Sequence, residues 1–143
     1  MFTGEYEHRV DPQGRVAMPA RFREAFKGGV VLNKGYDPCI VAFPPSAWQE
    51  FSRGVAALSM NLARARRLRR ITFGGAFEQE LDRQGRVLLP QALRRYAAVE
   101  EQVVIVGAGE YLEVWDALRW QEELARIEET ASRMAESVEE RKE

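Results

Sequence analysis

The chain of 143 residues has almost none of the residues that build disulfides and metal centres. Its one cysteine, Cys39, excludes an internal disulfide, and its one histidine, His8, leaves too few ligands for a zinc site or a Cys-His dyad. Cys39 stands beside Ile40 and Val41, so we expect a buried structural thiol. We expect His8 to lie on a strand surface, because a lone histidine seldom defines a site. The sequence therefore predicts neither a metal nor another cofactor.

Long apolar runs are also missing. Hydrophobic residues make up 45% of the chain, but charged and polar residues interrupt them throughout. A membrane-spanning helix needs about 20 consecutive apolar residues, and a secretory signal needs an apolar stretch near the N-terminus. Neither pattern is present, so the sequence predicts a soluble, cytoplasmic protein.

The formal net charge is only -1, but the charge is distributed unevenly. Residues 121–143 contain eight acidic and four basic residues, whereas residues 1–120 contain 14 acidic and 17 basic residues. The tail is therefore net -4 and the body net +3. The acidic tail therefore offsets the positive charge of the body in the overall net charge. We expect an anionic partner to bind to the body.

A repeated motif organises the sequence. Residues 11–16, DPQGRV, return almost unchanged as residues 82–87, DRQGRV. A repeat of this kind indicates one structural unit used twice, with a core that the two copies share because each is too small to bury enough apolar surface alone. The likeness extends to further matched pairs, which are Pro19 with Pro90 and Arg23 with Arg94.

Each motif predicts a hairpin turn followed by a strand and a short helix. An aspartate can bond its own backbone two residues on, and Gly14 or Gly85 takes the positive φ of the turn. Strands at 16–18 and 87–89 lead to a proline, which suits the first position of a helix because it has no N–H to leave unpaired. Apolar residues then recur three, six and seven positions past each proline; they are Phe22, Ala25 and Phe26, and Leu93, Tyr96 and Ala97.

With these motifs in place, the sequence resembles the MraZ family of bacterial transcriptional regulators, which is built from two AbrB-like (SpoVT-AbrB) units with a D-x-x-x-R motif in each. The resemblance covers nearly the whole chain, and its ordered set of motifs is highly specific. Gln13 and Gln84 depart from it where lysine is common, and Asp37-Pro38-Cys39 replaces the more usual D-G-C. Further matching segments are residues 1–6 (MFTGEY), 65–70 (ARRLRR), 73–76 (FGGA) and 112–115 (LEVW).

The resemblance implies an α+β fold. Two pseudo-twofold-related units would interleave their strands as swapped hairpins in a shared barrel-like core, with the two turns paired on one face. Short helices, an arginine-rich linker helix and a long C-terminal helix complete the expected fold. We place the first unit at residues 1–52, the linker at 53–75, the second unit at 76–120 and the acidic helix or tail at 121–143.

The resemblance also implies a function. A MraZ-like protein would bind double-stranded DNA as a homo-oligomeric ring in the cytoplasm and the nucleoid. It would recognise short direct repeats and repress the division and cell-wall gene cluster, including its own promoter. No membrane and no small-molecule substrate are implied.

The turns are the candidate DNA-binding site. Arginine reads guanine bidentately or binds phosphate, and a glycine turn lets backbone N–H groups approach an anion. The structural alternative is an Asp–Arg ion pair that stabilises the hairpin by only about 0–1 kcal/mol. The candidate DNA contacts are Arg15, Gln13, Gly14, Arg9 and Arg86. The residues expected to support the motifs are Asp11, Asp82, Gly85, Pro19 and Pro90.

The positions of the other strands and helices are predicted from the spacing of apolar residues and from the glycines and prolines that end such segments. Pro44-Pro45-Ser46 ends a strand and begins a helix through Trp48 and Phe51. The predicted strands lie at residues 5–10, 30–32, 39–43, 77–81, 103–106 and 111–115.

The linker between residues 53 and 70 contains six arginines and no acidic residue. The spacing of Leu58, Leu62, Ala65 and Arg69 predicts a helix that begins at about Ser59. One interpretation is a solvated or salt-bridged face that packs between units or subunits. The other is a stripe, including residues 64–70, that contacts DNA phosphates.

The C-terminal segment predicts a long helix with Asp116 as its cap. Its apolar residues are spaced alternately by four and three, which is a heptad pattern. The seam has two interpretations, packing on the body of its own chain or packing between subunits. Its residues are Trp120, Leu124, Ile127, Ala131, Met134 and Val138.

Two other functional classes compete with DNA binding. Asp11 and Asp82 occupy equivalent positions, as in the carboxylate pair of aspartic proteases. However, each has an arginine four residues on that would keep it ionised, and neither precedes Thr/Ser-Gly, so we predict no catalysis. A non-catalytic, antitoxin-like interaction module of the same fold is the second alternative, and a DNA-binding assay separates it from a regulator.

Overall fold

The computed structural model describes residues 1–142, with side-chain environments for residues 1–139. The strands are β1 (Glu5–Arg9), β2 (Arg15–Ala17), β3 (Val30–Lys34), β4 (Ile40–Phe43), β5 (Phe77–Gln79), β6 (Arg86–Leu88), β7 (Gln102–Gly107) and β8 (Leu112–Asp116). The helices are a 3₁₀ helix (Ala20–Phe26), α1 (Pro45–Ala56), α2 (Ala63–Gly74), α3 (Gln91–Tyr96) and α4 (Ala117–Lys142).

The strands form two antiparallel sheets, which confirms the α+β class. The larger sheet has six strands in the order β1-β7-β8-β4-β3-β5, and β2 pairs with β6 in a separate two-stranded ribbon. In the described residues β1 and β5 are the edges of the larger sheet and do not pair with each other. This sheet is therefore open, and its strands do not close into a barrel.

Most strand pairing joins the two halves of the chain. Strand β1 of the first half pairs with β7 of the second, and β5 of the second half pairs with β3 of the first. Strands β2 and β6 pair across the halves, as do β4 and β8. The predicted turns form, but the prediction that their flanking strands make local hairpins is wrong. Both β1 and β2 find their partners in the second half.

The alternation of side chains along the large sheet produces two apolar layers. In β3, Leu32 faces the ribbon, whereas Val31 faces the helices. The ribbon-side cluster includes the buried Phe26, Leu89 and Leu93 and is covered by the ribbon, the 3₁₀ helix and α3. The opposite cluster is covered by α1 and α4 and includes Phe43, Trp115, Trp120 and the fully buried Cys39. The expectation of a buried thiol at Cys39 is confirmed.

The helix after Pro19 and the start of α2 differ from the sequence-based expectations. The segment after Pro19 is a 3₁₀ helix that buries Phe22 and Phe26 but leaves Ala25 exposed. Helix α2 begins at Ala63 and not near Ser59, because the Ser59 hydroxyl accepts the N–H of Asn61 at 3.3 Å in a turn.

Helix α4 begins directly after β8. The Asp116 carboxylate accepts the N–H of Arg119 at 3.5 Å, which fits the predicted cap. The first part of the predicted seam packs on the sheet through Trp120, Leu124 and Ile127. The rest of the seam, including Met134 and Val138, is exposed. Among the described residues, no helix combines the length and the apolarity that a membrane crossing requires.

Trp120 anchors α4, since its ring contacts Trp115 and its indole N–H donates to Glu5 at 2.8 Å. We predict that Trp120→Ala lowers the free energy of unfolding by about 3–5 kcal/mol, as expected for a buried aromatic truncation. Leu118→Ala, two residues away and 76% exposed, should change it by less than about 0.5 kcal/mol. Urea titration of both variants measures the difference, and similar losses would contradict the packing of α4.

Candidate nucleic-acid interface

The first turn is held by the side chain of Asp11. Its Oδ1 accepts the N–H groups of Gln13 and Arg15, both at 2.9 Å. The backbone closes the turn with bonds from the Asp11 N–H to the Arg15 carbonyl at 2.8 Å and from the Gly14 N–H to the Asp11 carbonyl at 2.9 Å. Gly14 has φ +87°, a conformation that glycine adopts without a steric penalty. The turn chemistry predicted from the sequence is thus present in full.

The second turn repeats this geometry. Asp82 Oδ1 accepts the N–H groups of Gln84 and Arg86, again both at 2.9 Å, and Gly85 has φ +76°. The N–H of Asp82 donates to the Arg86 carbonyl at 2.9 Å. The two motifs are therefore the same structure used twice.

The ribbon of β2 and β6 joins the two turns. Val16 lies opposite Val87 at its centre, and both are buried. The backbone carbonyl of each turn glycine accepts a hydrogen bond from the residue that follows the opposite ribbon strand. The Met18 N–H donates to the Gly85 carbonyl at 2.8 Å, and the Leu89 N–H donates to the Gly14 carbonyl at 2.8 Å. These reciprocal bonds fix the position of each turn relative to the other.

The outer face of the ribbon presents the motif arginines. Because side chains alternate along a strand, the inward Val16 and Val87 leave Arg15 and Arg86 on the opposite face. The register places Arg15 opposite Leu88 and Arg86 opposite Ala17. The predicted contacts Arg15 and Arg86 are thus brought together on one surface.

The two arginines differ in their partners. Arg86 donates to Asp82 at 2.9 Å and also lies 3.5 Å from Asp11, the aspartate of the other turn. Arg15 donates to Gln13, and no described carboxylate forms an ion pair with it. The positive charge of Arg15 is therefore the one that remains available to an external anion.

Both turn aspartates are held in the ionised form. The backbone N–H of Arg15 is the largest cause of the lowered pKa of Asp11, and the N–H of Gln13 and the charge of Arg86 act in the same direction. The backbone N–H of Arg86 and then its side chain lower the pKa of Asp82. A protease-like dyad needs one carboxyl that keeps its proton, so these carboxylates do not suit that chemistry.

Two arginines outside the motif also shape the turns. The guanidinium of Arg94 lies over Gly14, where an added Cβ would stand 3.0 Å from it, and its Nε donates to the Leu89 carbonyl at 2.9 Å. Arg23 packs on Gly85 in the same way and donates to the Met18 carbonyl at 3.1 Å. Sequence reasoning matched these arginines as repeats but gave them no role, since their contacts cross between the two halves.

The remaining predicted residues lie around the ribbon. Arg9 is at the end of β1 and forms an exposed ion pair with Glu101 at 3.3 Å. Pro19 and Pro90 follow the two ribbon strands and occupy the N-cap positions of the 3₁₀ helix and α3, one residue before the predicted first helical position. His8 lies on β1, and burial and the charge of Arg23 lower its pKa. In the described residues no group of acidic, histidine and cysteine side chains is placed to hold a metal.

Comparison with known proteins places this geometry in a family. The family model described as "MraZ protein, putative antitoxin-like" matches the chain twice, over residues 1–71 and 72–141. The chain belongs to the MraZ family. A protein named "Transcriptional regulator MraZ" from Roseiflexus sp. (strain RS-1) is 44% identical over 138 residues, which are 96% of each chain. Proteins of the same name from Heliobacterium modesticaldum and Moorella thermoacetica are 46% and 41% identical, over 84% and 96% of each chain.

Each MraZ match contains one copy of the turn motif. The first match includes Asp11 to Arg15, and the second includes Asp82 to Arg86. The resemblance to the MraZ family is therefore confirmed, together with its two repeats. The relatives are named as transcriptional regulators and not as enzymes, which is consistent with the expectation of a regulator.

The contact between Arg23 and Gly85 generates a stability prediction. An alanine at Gly85 would place its Cβ 2.3 Å from Arg23 Nε, so Arg23 must move and lose its bond to Met18. Gly109→Ala is the matched control, because Gly109 also has positive φ, and no atom of the described residues beyond its chain neighbours lies within 4 Å of an added Cβ. Both variants lose about 1–3 kcal/mol from backbone strain. Gly85→Ala should lose about 1 kcal/mol more, for the broken hydrogen bond. Equal losses in urea titrations would contradict the contact.

The lowered pKa values of Asp11 and Asp82 predict acid sensitivity. A carboxyl whose folded pKa lies below its unfolded value of 3.8 stabilises the protein above that pH and loses this contribution as the pH falls through the folded pKa. Wild type should therefore be more stable than the variant with Asp11→Asn and Asp82→Asn above pH 3.8, and this difference should shrink below it. Unfolding free energies between about pH 6 and pH 2 measure this. A pH-independent difference would exclude the carboxylates as its source.

Proposed function

We propose that this chain is a sequence-specific, DNA-binding transcriptional regulator that reads DNA with the β2–β6 ribbon and its two turns. The observation that carries the proposal is the outward guanidinium of Arg15, which has no described carboxylate partner. The names of the relatives support the same function.

The shape of the ribbon suits a DNA groove. The major groove admits a two-stranded β-ribbon, and arginine reads the O6 and N7 atoms of guanine there. Gly14 and Gly85 are themselves buried beneath Arg94 and Arg23, so a phosphate at the turns would meet these two guanidinium groups. In this arrangement base contacts specify the sequence and phosphate contacts set the position of the protein.

The charge around the ribbon supports the same role. Arg23 and Arg94 lie against the turn glycines, and the exposed Arg83 lies within the second turn. These side chains add positive charge near Arg15 on the surface where a phosphate backbone would lie. Favourable long-range attraction of this kind accelerates encounter with DNA and makes affinity depend on salt.

The finer proposals extend this function. The two halves act as swapped-hairpin units, and the protein assembles into a homo-oligomeric ring. The ring places several ribbons on short direct repeats and represses the division and cell-wall gene cluster, including the promoter of its own gene. These proposals rest on the family resemblance and on the duplicated ribbon.

The direct test is a variant of Arg15. We predict that Arg15→Ala abolishes specific binding to the DNA upstream of its gene while the protein stays folded, since Arg15 is only partly buried and forms no ion pair with a described carboxylate. If Arg15 contacts one phosphate, the slope of log K against log salt should fall by about 0.9. If it reads a base, discrimination should fall by about 1–3 kcal/mol with a smaller change of slope.

Two controls sharpen this test. Arg86→Ala should weaken binding less, because Asp11 and Asp82 already hold the Arg86 side chain. Arg119→Ala removes an exposed arginine from α4, across the large sheet from the ribbon, and should leave binding unchanged. Unchanged affinity of a folded Arg15→Ala protein in fluorescence anisotropy would overturn the proposed reader. Absence of specific binding by wild type would favour the antitoxin-like interaction module.

A further inference from the structure

The exposed arginines of α2 form a basic face. Helix α2 contains five arginines and no acidic residue. Arg66 and Arg69 donate to the carbonyls of Met60 and Ala56, at 2.8 and 2.9 Å, and so have partners within the chain. The others are exposed, and none forms an ion pair with a described carboxylate. We define the basic face of α2 as Arg64, Arg67 and Arg70.

The distal half of α4 has the opposite charge. Between Glu128 and Glu139 the helix contains four acidic residues and one basic residue, and the four acidic side chains are exposed. Glu128 and Glu139 are eleven residues apart, which is three helical turns, so they lie on one side of the helix. This acidic flank, from Glu128 to Glu139, borders the exposed seam residues Met134 and Val138.

Apolar side chains lie beside both charged surfaces. On α2 the exposed large side chains are Ile71 and Phe73, at 37% and 44% of their surface, and on the distal half of α4 they are Met134 and Val138, at 43% and 55%. Mixed surfaces of arginine, aromatic and aliphatic side chains are typical of protein–protein interfaces. The surface of α2 therefore has the composition of a protein interface, and the distal half of α4 offers it apolar side chains and the opposite charge.

The two surfaces belong to separate regions of the same chain. Helix α4 packs on β7 and β8, whereas α2 packs on α1 and β3. The buried Asn33 fixes α2 on the helical side of the large sheet by donating to the Thr72 carbonyl at 2.7 Å. The basic face of α2 therefore lies across the sheet from the ribbon.

We propose that the acidic flank and distal seam of α4 dock on the basic face of α2 of a second copy of this chain. Charge complementarity selects this pairing. Contact between two α4 helices would bring together two segments that are each net negative, and contact between two α2 helices would bring together ten arginine charges. The lengths also match, since α2 is about 18 Å long and the acidic flank about 17 Å.

DNA is a poorer partner for α2. A phosphate backbone would satisfy the arginines, but it offers no apolar surface to cover Ile71 and Phe73. A duplex that lies on the ribbon would also have to pass around the sheet to reach α2. The observations thus favour a protein partner for this face.

Docking of two different surfaces has a consequence for assembly. Each copy carries one α2 face and one α4 segment, so contacts run head to tail and close into a ring when the rotation between copies permits it. This inference rests on the proposed homo-oligomer and is independent of DNA reading by Arg15. Assembly and DNA affinity are therefore measured separately.

A charge-swap experiment on the full chain tests the interface. Light scattering at one protein concentration compares wild type, a variant with Arg67→Glu and Arg70→Glu, a variant with Glu128→Lys and Glu139→Lys, and the combination of all four changes. Each two-residue variant should form smaller species than wild type, and the combined variant should recover the wild-type mass. Lys27→Glu with Arg119→Glu is the matched control, since it reverses two exposed charges outside both surfaces and should leave the mass unchanged.

Three outcomes would overturn the proposal. Loss of mass in the α4 variant without recovery in the combined variant would indicate that α4 pairs with another surface. An unchanged mass in the α2 variant, together with weaker DNA binding and a smaller salt slope, would assign α2 to DNA. A wild-type protein that remains a monomer would exclude the interface altogether. Failure of DNA binding in a protein that still assembles would instead count only against the ribbon.

Discussion

Pairing of β2 with β6 is the interaction on which the rest of this structure depends. Neither half of the chain can form this ribbon alone, because each half contributes one strand and the two strands form their backbone hydrogen bonds with each other. The same exchange governs the large sheet, where β1 and β5 both pair across the halves. Two units of about 45 residues, each too small to bury a stable core, thereby share one.

The shared ribbon also fixes the geometry of the candidate site. Each turn is held by its own aspartate, by a carbonyl bond from the opposite strand and by an arginine from the opposite half. A surface that is rigid before binding loses less conformational entropy when it meets a ligand. Duplication has left the two copies unequal, however. Arg86 pairs with both Asp11 and Asp82, whereas Arg15 forms no ion pair with a described carboxylate.

Local chemistry made much of the site predictable. The spacing of Asp11, Gly14 and Arg15 predicts the internal hydrogen bonds of the turn, because each of these bonds connects residues fewer than five apart. Features that depend on distant residues were not predictable in the same way. The sequence shows no local sign that β2 leaves β1 for β6, or that Arg94 covers Gly14. The start of α2 was misplaced because apolar spacing included Leu58 and Leu62, which are exposed in the turn before that helix.

The central claim is that both halves of the chain build one DNA-reading ribbon. Hydrogen exchange with and without the DNA upstream of the gene tests it most directly, with a scrambled duplex of equal length as the control. The account predicts slower exchange in both turn segments, residues 11–18 and 82–89, only with the upstream DNA, and no sequence-dependent change in α2. Protection confined to α2 or α4, with both turns unaffected, would contradict it.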